Sequence, residues 1–460
     1  MRGAVAAGNR HTAEAGVWAL AEGGNAVDAV VAAAFAAFVA EGPLTGPAGG
    51  GFLLVRDRGE EPRLLDCFFA VPSRTPCEME EIVVDFGDAS TQVFHVGEAS
   101  VAVPGLVAGL EQAHRRHGRL PWASLIEPAI ELARRGVVPS EAQLFLLEIL
   151  VPILERTEAG RLVYGSRDRI RTEGMVAGLE LLRDAGADAV AHLLPELAGD
   201  IAAYRPIERE PLVTSFEGMR VATNPPPSKG GTVIVAGLEE LVRTGVTGPA
   251  GSAADAACLA CAVARGYGGG APHTNLTGTT HISVIDGNGN AAGLSSTLGS
   301  GSGVFHGGFE LNNMLGELDV IGHDERVPGD RLPSMMAPTL VLEGDRARLV
   351  VGSAGSVRLS GAILQVIASV AGRGLTVREA IERPRLHVEE GVLHLEGGWA
   401  DDAAQRLEAD GWEVVRWSGR NLYFGGVSAV ESRADGSLGA AGDPRRGGHG
   451  LVIDTGWAAR

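Results

Sequence analysis

The texture of the chain changes once, at residue 279, and that change limits the folds open to it. Before it, apolar residues recur at helical spacing and glycines end each run. From Thr279 onward, alternating strand-like segments stand at 279–286, 291–298, 338–343 and 347–352, with helical patterns at 356–371, 376–382 and 401–410. The first two segments, TTHISVID and AAGLSSTL, flank Gly287-Asn288-Gly289 and read as a hairpin. With those three residues as the loop, Asp286 faces Asn290 and the register carries Thr279 opposite Thr297. Directly opposed residues have β-carbons about 5 Å apart, close enough for two hydroxyls to hydrogen-bond. A two-residue loop would turn Thr297 to the other face, so register alone leaves both arrangements open.

The preceding half punctuates itself clearly. Residues 11–24 form a helical run ending in Gly23-Gly24, and Asn25 is placed to cap the next helix, NAVDAVVAAAFAAF. Two strands around a turn are expected at 50–59 and 62–71. Helices are expected at 104–117, 121–136, 140–156 and 177–203, and at 230–243 after Pro225-Pro226-Pro227. Helices first, then strands with helices interleaved, predict an α+β or layered architecture. No repeat or low-complexity linker divides the chain, so one compact structural domain is expected.

A net charge of −18, with Lys229 the only lysine, argues against nucleic acid or an anionic membrane as partner. The most apolar segment, 29–41, is too short to span a bilayer and reads as a buried helix. The start, MRGAVAAGNRHTAEAG, lacks the charged leader and apolar stretch of an export signal, so a cytoplasmic, reducing location is expected. Cys258 and Cys261 lie in a small-residue helical segment without a second pair at zinc spacing, and read as packing cysteines. Neither a metal nor a cofactor is implied; a phosphate loop, H-E-x-x-H and G-x-S-x-G are all absent from the sequence.

A threonine hydroxyl is a poor nucleophile without an adjacent base. Cleavage of the chain just before the threonine supplies one, because its own α-amino group is freed. Such an amine has an unperturbed pKa of about 7.7–8.0, suited to proton transfer near neutrality. Gly278 before Thr279 suits a strained, unhindered cleavage point. Taken alone, Thr279 reads as an ordinary β-branched strand residue, and the nucleophile reading needs further support.

At this point the sequence resembles the γ-glutamyltranspeptidase family of N-terminal-nucleophile (Ntn) hydrolases. The matching motifs run in order along nearly the whole chain: 23-GGNAVDA-29, 49-GGGF-52, 103-VPGLVAGL-110, 120-LPWASLIEPAIELARRG-136, 225-PPPSKGG-231, 279-TTHISVIDGNGNA-291, 312-NN-313, 334-SMMAP-338 and 352-GSAGS-356. The resemblance implies a four-layer αββα sandwich built jointly by two autoproteolytic fragments, a large subunit 1–278 and a small subunit 279–460, which remain together as a heterodimer. It implies that Thr279 is the nucleophile, released by cleavage after Gly278, and that Thr297 is the second threonine that orients its hydroxyl. It also implies that the backbone amides of Gly355 and Ser356 form the oxyanion hole. Ser356 replaces the family's second glycine, but a backbone donor survives a change of side chain, and such donors can contribute about 3 kcal/mol each in a transition state.

The substrate clamp departs from the family pattern. Its arginine, in "LDFRE", grips the substrate α-carboxylate; here 65-LDCFF-69 puts Phe68 in that place. A bidentate arginine–carboxylate contact is charge-assisted and worth roughly 1.5–3 kcal/mol, and phenylalanine cannot supply it. The asparagine following "TYTL" is Gly299, the glutamine of "NNQMDD" is Met314, the amino-group-binding aspartate is Glu317, and the serine pair is Ser334-Met335. Glu317 is read either as a longer stand-in for that aspartate or as a plain surface carboxylate. The segment from Glu317 to Ser334 is about a dozen residues shorter than in lid-bearing members, so a more open and more apolar pocket is expected. The glycine-rich 299-GSGSG-303 is read as a loop beside the site.

The sequence therefore predicts a self-processing threonine hydrolase or acyltransferase that cleaves an amide, or an activated carbon–carbon bond next to a carbonyl, in a small-molecule substrate other than an ordinary γ-glutamyl peptide. Divergent members of this kind serve natural-product (antibiotic) biosynthesis. A true γ-glutamyl enzyme with a rebuilt clamp, and an unprocessed, silent homologue, are the alternatives.

Overall fold

The computed structural model describes residues 2–73, 78–85, 91–269, 278–323 and 325–454. Two antiparallel sheets stack at its centre. The first has seven strands in the order His449–Ile453, Gly3–Ala7, Gly278–Asp286, Ala291–Gly299, Gly50–Arg56, Arg63–Cys67 and Ile207–Arg209. The second has six: Leu438–Gly442, Gly426–Ser432, Arg346–Ala354, Thr339–Glu343, Met219–Thr223 and Leu212–Phe216. Strand Gly278–Asp286 packs against Arg346–Ala354 and Gly426–Ser432, which brings the sheets face to face. Helices Arg10–Ala21 and Ala26–Ala40 cover the outer face of the first sheet; Gly230–Thr244 and Arg358–Arg373 cover the second, with Ala253–Gly266 packed against them. This is the expected α+β, four-layer αββα arrangement.

Burial on both sides explains why the central segments look as they do. Helix Ala26–Ala40 is buried at every position, lying between the sheet and the Trp122–Arg135 helix, so it is apolar all round rather than along one stripe. Its start is set by Asn25, whose side chain accepts from the amides of Val27 (3.0 Å) and Asp28 (3.1 Å), while the Asp28 carboxylate accepts from the Asn25 amide at 2.9 Å. The hairpin strands are also buried throughout, and their polar residues are satisfied internally. The His281 ring sits between the Ser295 (2.8 Å) and Ser283 (2.9 Å) hydroxyls, and the Ser283 hydroxyl donates to the Ser428 carbonyl of the second sheet at 3.1 Å.

The N-terminal half is less purely helical than its sequence suggests. Gly3–Ala7 is a central strand, and both sheets take strands from both sides of the Gly278–Thr279 bond. The helix expected over 177–203 begins earlier, where Thr172 caps Glu173–Ala185, and ends at Gly186, whose φ of 60° leaves the helical region. Short turns follow, with Pro195 between them. Of the two cysteines read as packing residues, Cys258 is buried and Cys261 is exposed on the same helix.

Candidate active site

The hairpin loop holds the predicted register as far as Thr280, which pairs with Ser296. Beyond it the register shifts by one, and Gly278 pairs with Gly299. The extra residue on the second strand is a β-bulge, which redirects the side chain there. Thr297 is consequently aimed at the backbone of its neighbour: its hydroxyl donates to the Gly278 carbonyl oxygen and accepts from the Gly299 amide at 2.8 Å. The hydroxyl-to-hydroxyl contact suggested by register is replaced by contact with the carbonyl preceding Thr279. Only glycine fits at 278, since a β-carbon there would stand 2.8 Å from the Gly299 carbonyl oxygen and 2.9 Å from that of Pro43.

Thr279 is 3 % exposed and lines a cavity with Phe68, Thr297, Gly299, Met314, Glu317, Ser334, Met335 and Ser356. The fold thus brings together residues separated by almost 300 positions. Gly355 and Ser356 follow strand Arg346–Ala354 and lead into helix Arg358–Arg373, a strand–turn–helix corner with φ of 126° and 53°. Positive φ at Ser356 is unusual for a residue with a β-carbon and costs about 1 kcal/mol or more.

Two altered clamp positions, Phe68 and Gly299, have a packing reason, and the retained Ser334 has a structural one. Phe68 is 1 % exposed and stacks on Phe52 at 5.1 Å with a 19° interplanar angle. Gly299 has φ of 72°, and a β-carbon there would collide with Asn313 Oδ1 and approach Glu317 Oε1 to 3.1 Å. Ser334 uses its hydroxyl locally, accepting from the Met336 amide at 3.0 Å, while its carbonyl accepts from the Lys229 amide at 2.7 Å. The PPPSKGG segment therefore braces this wall of the cavity.

Glu317 is buried and not a surface carboxylate. Its Oε1 accepts from the Ser300 amide (2.8 Å) and hydroxyl (2.6 Å), and Asn313 Oδ1 accepts from the same amide at 2.7 Å. Burial raises its carboxyl to about 7, against hydrogen bonds from Ser300 and Asn313 that favour the charged form. No ion pair to Glu317 is formed among the described residues. The pocket is also less open than the short 317–334 segment suggested. The turn Met314–Gly316 and the helix Leu318–Ile321 contribute Met314 and Val320 to its walls, and Met314, Glu317 and Ser334 are at most 5 % exposed.

Five residues around the site were not singled out from sequence. Ser300, inside GSGSG, is the donor to Glu317. Thr280 donates to Glu41 Oε2 at 2.5 Å, and Thr12 donates to Glu41 Oε1 at 2.6 Å, tying the residue after Thr279 to the first helical layer. His281 is kept neutral, its pKa lowered to about 3 by burial. The adjacency of Thr280 and His281 to Thr279 was the available signal. Among the described residues no cluster of three or more potential metal ligands occurs, and no helix is long and apolar enough to cross a membrane.

A family model described as gamma-glutamyltranspeptidase matches residues 12–179 and 251–453. The chain is similar to the glutathione hydrolase proenzyme of Escherichia coli, 27% identical with 96% of this chain and 90% of the relative covered. It is also similar to the acylase ACY 1 proenzyme of a Pseudomonas species, at 29% identity over 99% and 94%. Among solved structures, cephalosporin acylase from Bacillus halodurans superposes with a TM-score of 0.83 at 22% identity, covering 98% of this chain and 95% of that one. That last likeness is one of fold.

Proposed function

Because this chain belongs to the γ-glutamyltranspeptidase family of Ntn hydrolases and transferases, we propose that it is a self-processing threonine hydrolase acting on a substrate other than an ordinary γ-glutamyl peptide. The observation that carries the processing step is the Thr297 hydroxyl on the Gly278 carbonyl. Thr279 Oγ attacks that carbonyl carbon, the C–N bond to Thr279 breaks, and an ester links Gly278 to the threonine oxygen. Water then hydrolyses the ester, leaving a Gly278 carboxylate and a free Thr279 amine. The proenzyme names of the E. coli and Pseudomonas relatives support this order.

In turnover, the freed amine takes the Oγ proton as Thr279 attacks a substrate carbonyl. The Gly355 and Ser356 amides hold the oxyanion. The leaving group departs with the proton, and water releases the acyl group as an acid. An activated carbon–carbon bond is cleaved by the same steps, with a carbon leaving group taking the proton, which is the chemistry of a natural-product pathway.

The choice of substrate rests on the walls of the cavity. Phe68, Met314 and Met335 line it; among its described lining residues there is no arginine, and Glu317 is the one carboxylate. Such a pocket favours an acyl group without an α-carboxylate, carrying an amine that pairs with Glu317. The similarity to a named acylase supports an amide substrate.

Purified protein run on a denaturing gel, with N-terminal sequencing of the smaller band, tests processing; the expected new N-terminus is Thr279. Hydrolysis of γ-glutamyl, glutaryl and neutral acyl anilides tests the substrate. Turnover of the γ-glutamyl compound above the others would sink the proposal.

A further inference from the structure

A second cavity also reaches Thr279, and its lining shares no other described residue with the first. Its walls include Gly8, Glu41, Leu44, Thr280 and Arg446. Adjoining it is a wider pocket that shares Gly8, Glu41, Leu44 and Arg446, with further walls that are mainly apolar: Pro43, Ala142, Leu146, Leu147, Ile170 and Leu422.

Arg446 is the anomaly of this region. Among the described residues its guanidinium makes no hydrogen bond and no ion pair, and its Nε is buried without a partner. The arginine beside it shows what such a group ordinarily does here. Arg445 is paired with Glu396 and bonds Asp443 at 3.1 Å. Asp443, which lines the same cavity as Arg446, is already occupied by Arg385 at 2.6 Å and by the Val427 amide at 3.0 Å. Glu41 does not compensate either. Both its oxygens accept from threonine hydroxyls, and burial raises its pKa toward the neutral form. The guanidinium is half-buried and its Nε is sealed from water without a partner; a polar group left so is costly, and the geometry around it is that of a receptor for an anion.

We propose that this pocket binds a carboxylate bearing an apolar tail, with the carboxylate on the Arg446 guanidinium and the tail against Leu146, Leu147, Ile170 and Leu422. The charge is matched by the unpaired arginine, and the hydrocarbon by walls that gain from losing water. Arg358 also raises the positive potential there, since it lowers the Arg446 pKa, after burial, to about 10; the guanidinium stays charged at neutral pH. The bound carboxylate would lie beside Glu41 and Thr280, next to Thr279.

Octanoate is the probe, titrated calorimetrically into the full-length purified protein, with octanamide (tail without charge) and acetate (charge without tail) as comparisons. Octanoate is expected to bind saturably, with octanamide, acetate, and octanoate on Arg446→Met each weaker by about tenfold or more. Equal octanoate affinity in wild type and Arg446→Met, equal binding of octanamide, or no octanoate binding at all would overturn the site. Should Arg446→Met fail to fold, Leu146→Glu, at a half-buried wall position, carries the same expected loss. The measurement needs no turnover, so its outcome is separate from whether Thr279 cleaves amides.

Discussion

The Thr297 hydroxyl donates to the carbonyl oxygen of Gly278, the residue immediately before Thr279. A donor fixed on that oxygen polarises the one carbonyl that Thr279 must attack to release its own amine. Thr297→Val keeps the shape and removes the donor, and is expected to slow self-cleavage by about 10²-fold, the usual scale for losing one oxyanion donor. Thr279→Ala is expected to abolish both cleavage and activity. Gel densitometry over time reads both, and cleavage of Thr279→Ala at Gly278 would remove Thr279 from the nucleophile's role.

Reinstating the family's clamp residues is expected to damage the fold rather than restore γ-glutamyl recognition. At Gly299 an asparagine would carry a β-carbon into Asn313 Oδ1, so Gly299→Asn should cost about 1–3 kcal/mol, the usual cost of forced overpacking. Phe68→Arg would replace a ring stacked on Phe52 with a buried charge, at about 3 kcal/mol or more. Urea denaturation gives these losses, and a γ-glutamyl anilide assay should show no gain. Restored activity with unchanged stability would count against this account of the pocket.

Ser356 sits at φ 53° where the family has glycine. Ser356→Gly is expected to keep its backbone donor and remain active. Relief of the left-handed strain, offset by the greater backbone entropy of glycine, should stabilise the protein by about 0.5–1 kcal/mol. Ser356→Val, β-branched at the same φ, should lose more than 1 kcal/mol. Thermal melts of the three proteins order them, and a Val variant as stable as wild type would contradict the strained geometry.

Local signals were legible where one residue acts through its own side chain or backbone. Asn25 announces a helix start, and Gly287-Asn288-Gly289 sets the hairpin register as far as Thr280 and Ser296. The bulge between Ser296 and Gly299 was not legible, because residue counting assumes unbroken pairing and nothing in TLGS marks the extra residue. Strand Gly3–Ala7, GAVAA, was missed for a related reason. Its residues have weak strand preference, and it is held by neighbours on both edges, His449–Ile453 and Gly278–Asp286. The altered clamp was visible residue by residue, but why Gly299 cannot be asparagine depends on Asn313 and Glu317 folding back over it. The same fold-back buries Glu317, which spacing alone had left between a binding and a surface role.

Glu317 should show itself in two pH profiles. Its carboxyl is raised by burial to about 7, above the ordinary 4.5 of a glutamate. Between those values the folded protein holds a proton that the unfolded chain has released, so stability declines as pH rises from about 4.5 and levels off above about 7. Glu310, raised by burial to about 8, adds a decline of the same sign. Glu317→Gln is expected to remove the Glu317 share and leave a shallower slope of melting temperature between pH 4.5 and 7. For an amine-bearing substrate, the ionised carboxylate is the binding form, so kcat/KM should rise through about pH 7 in the free enzyme and lose that step in Glu317→Gln. An unchanged kcat/KM profile in the variant would take Glu317 out of substrate binding, whatever the melts show.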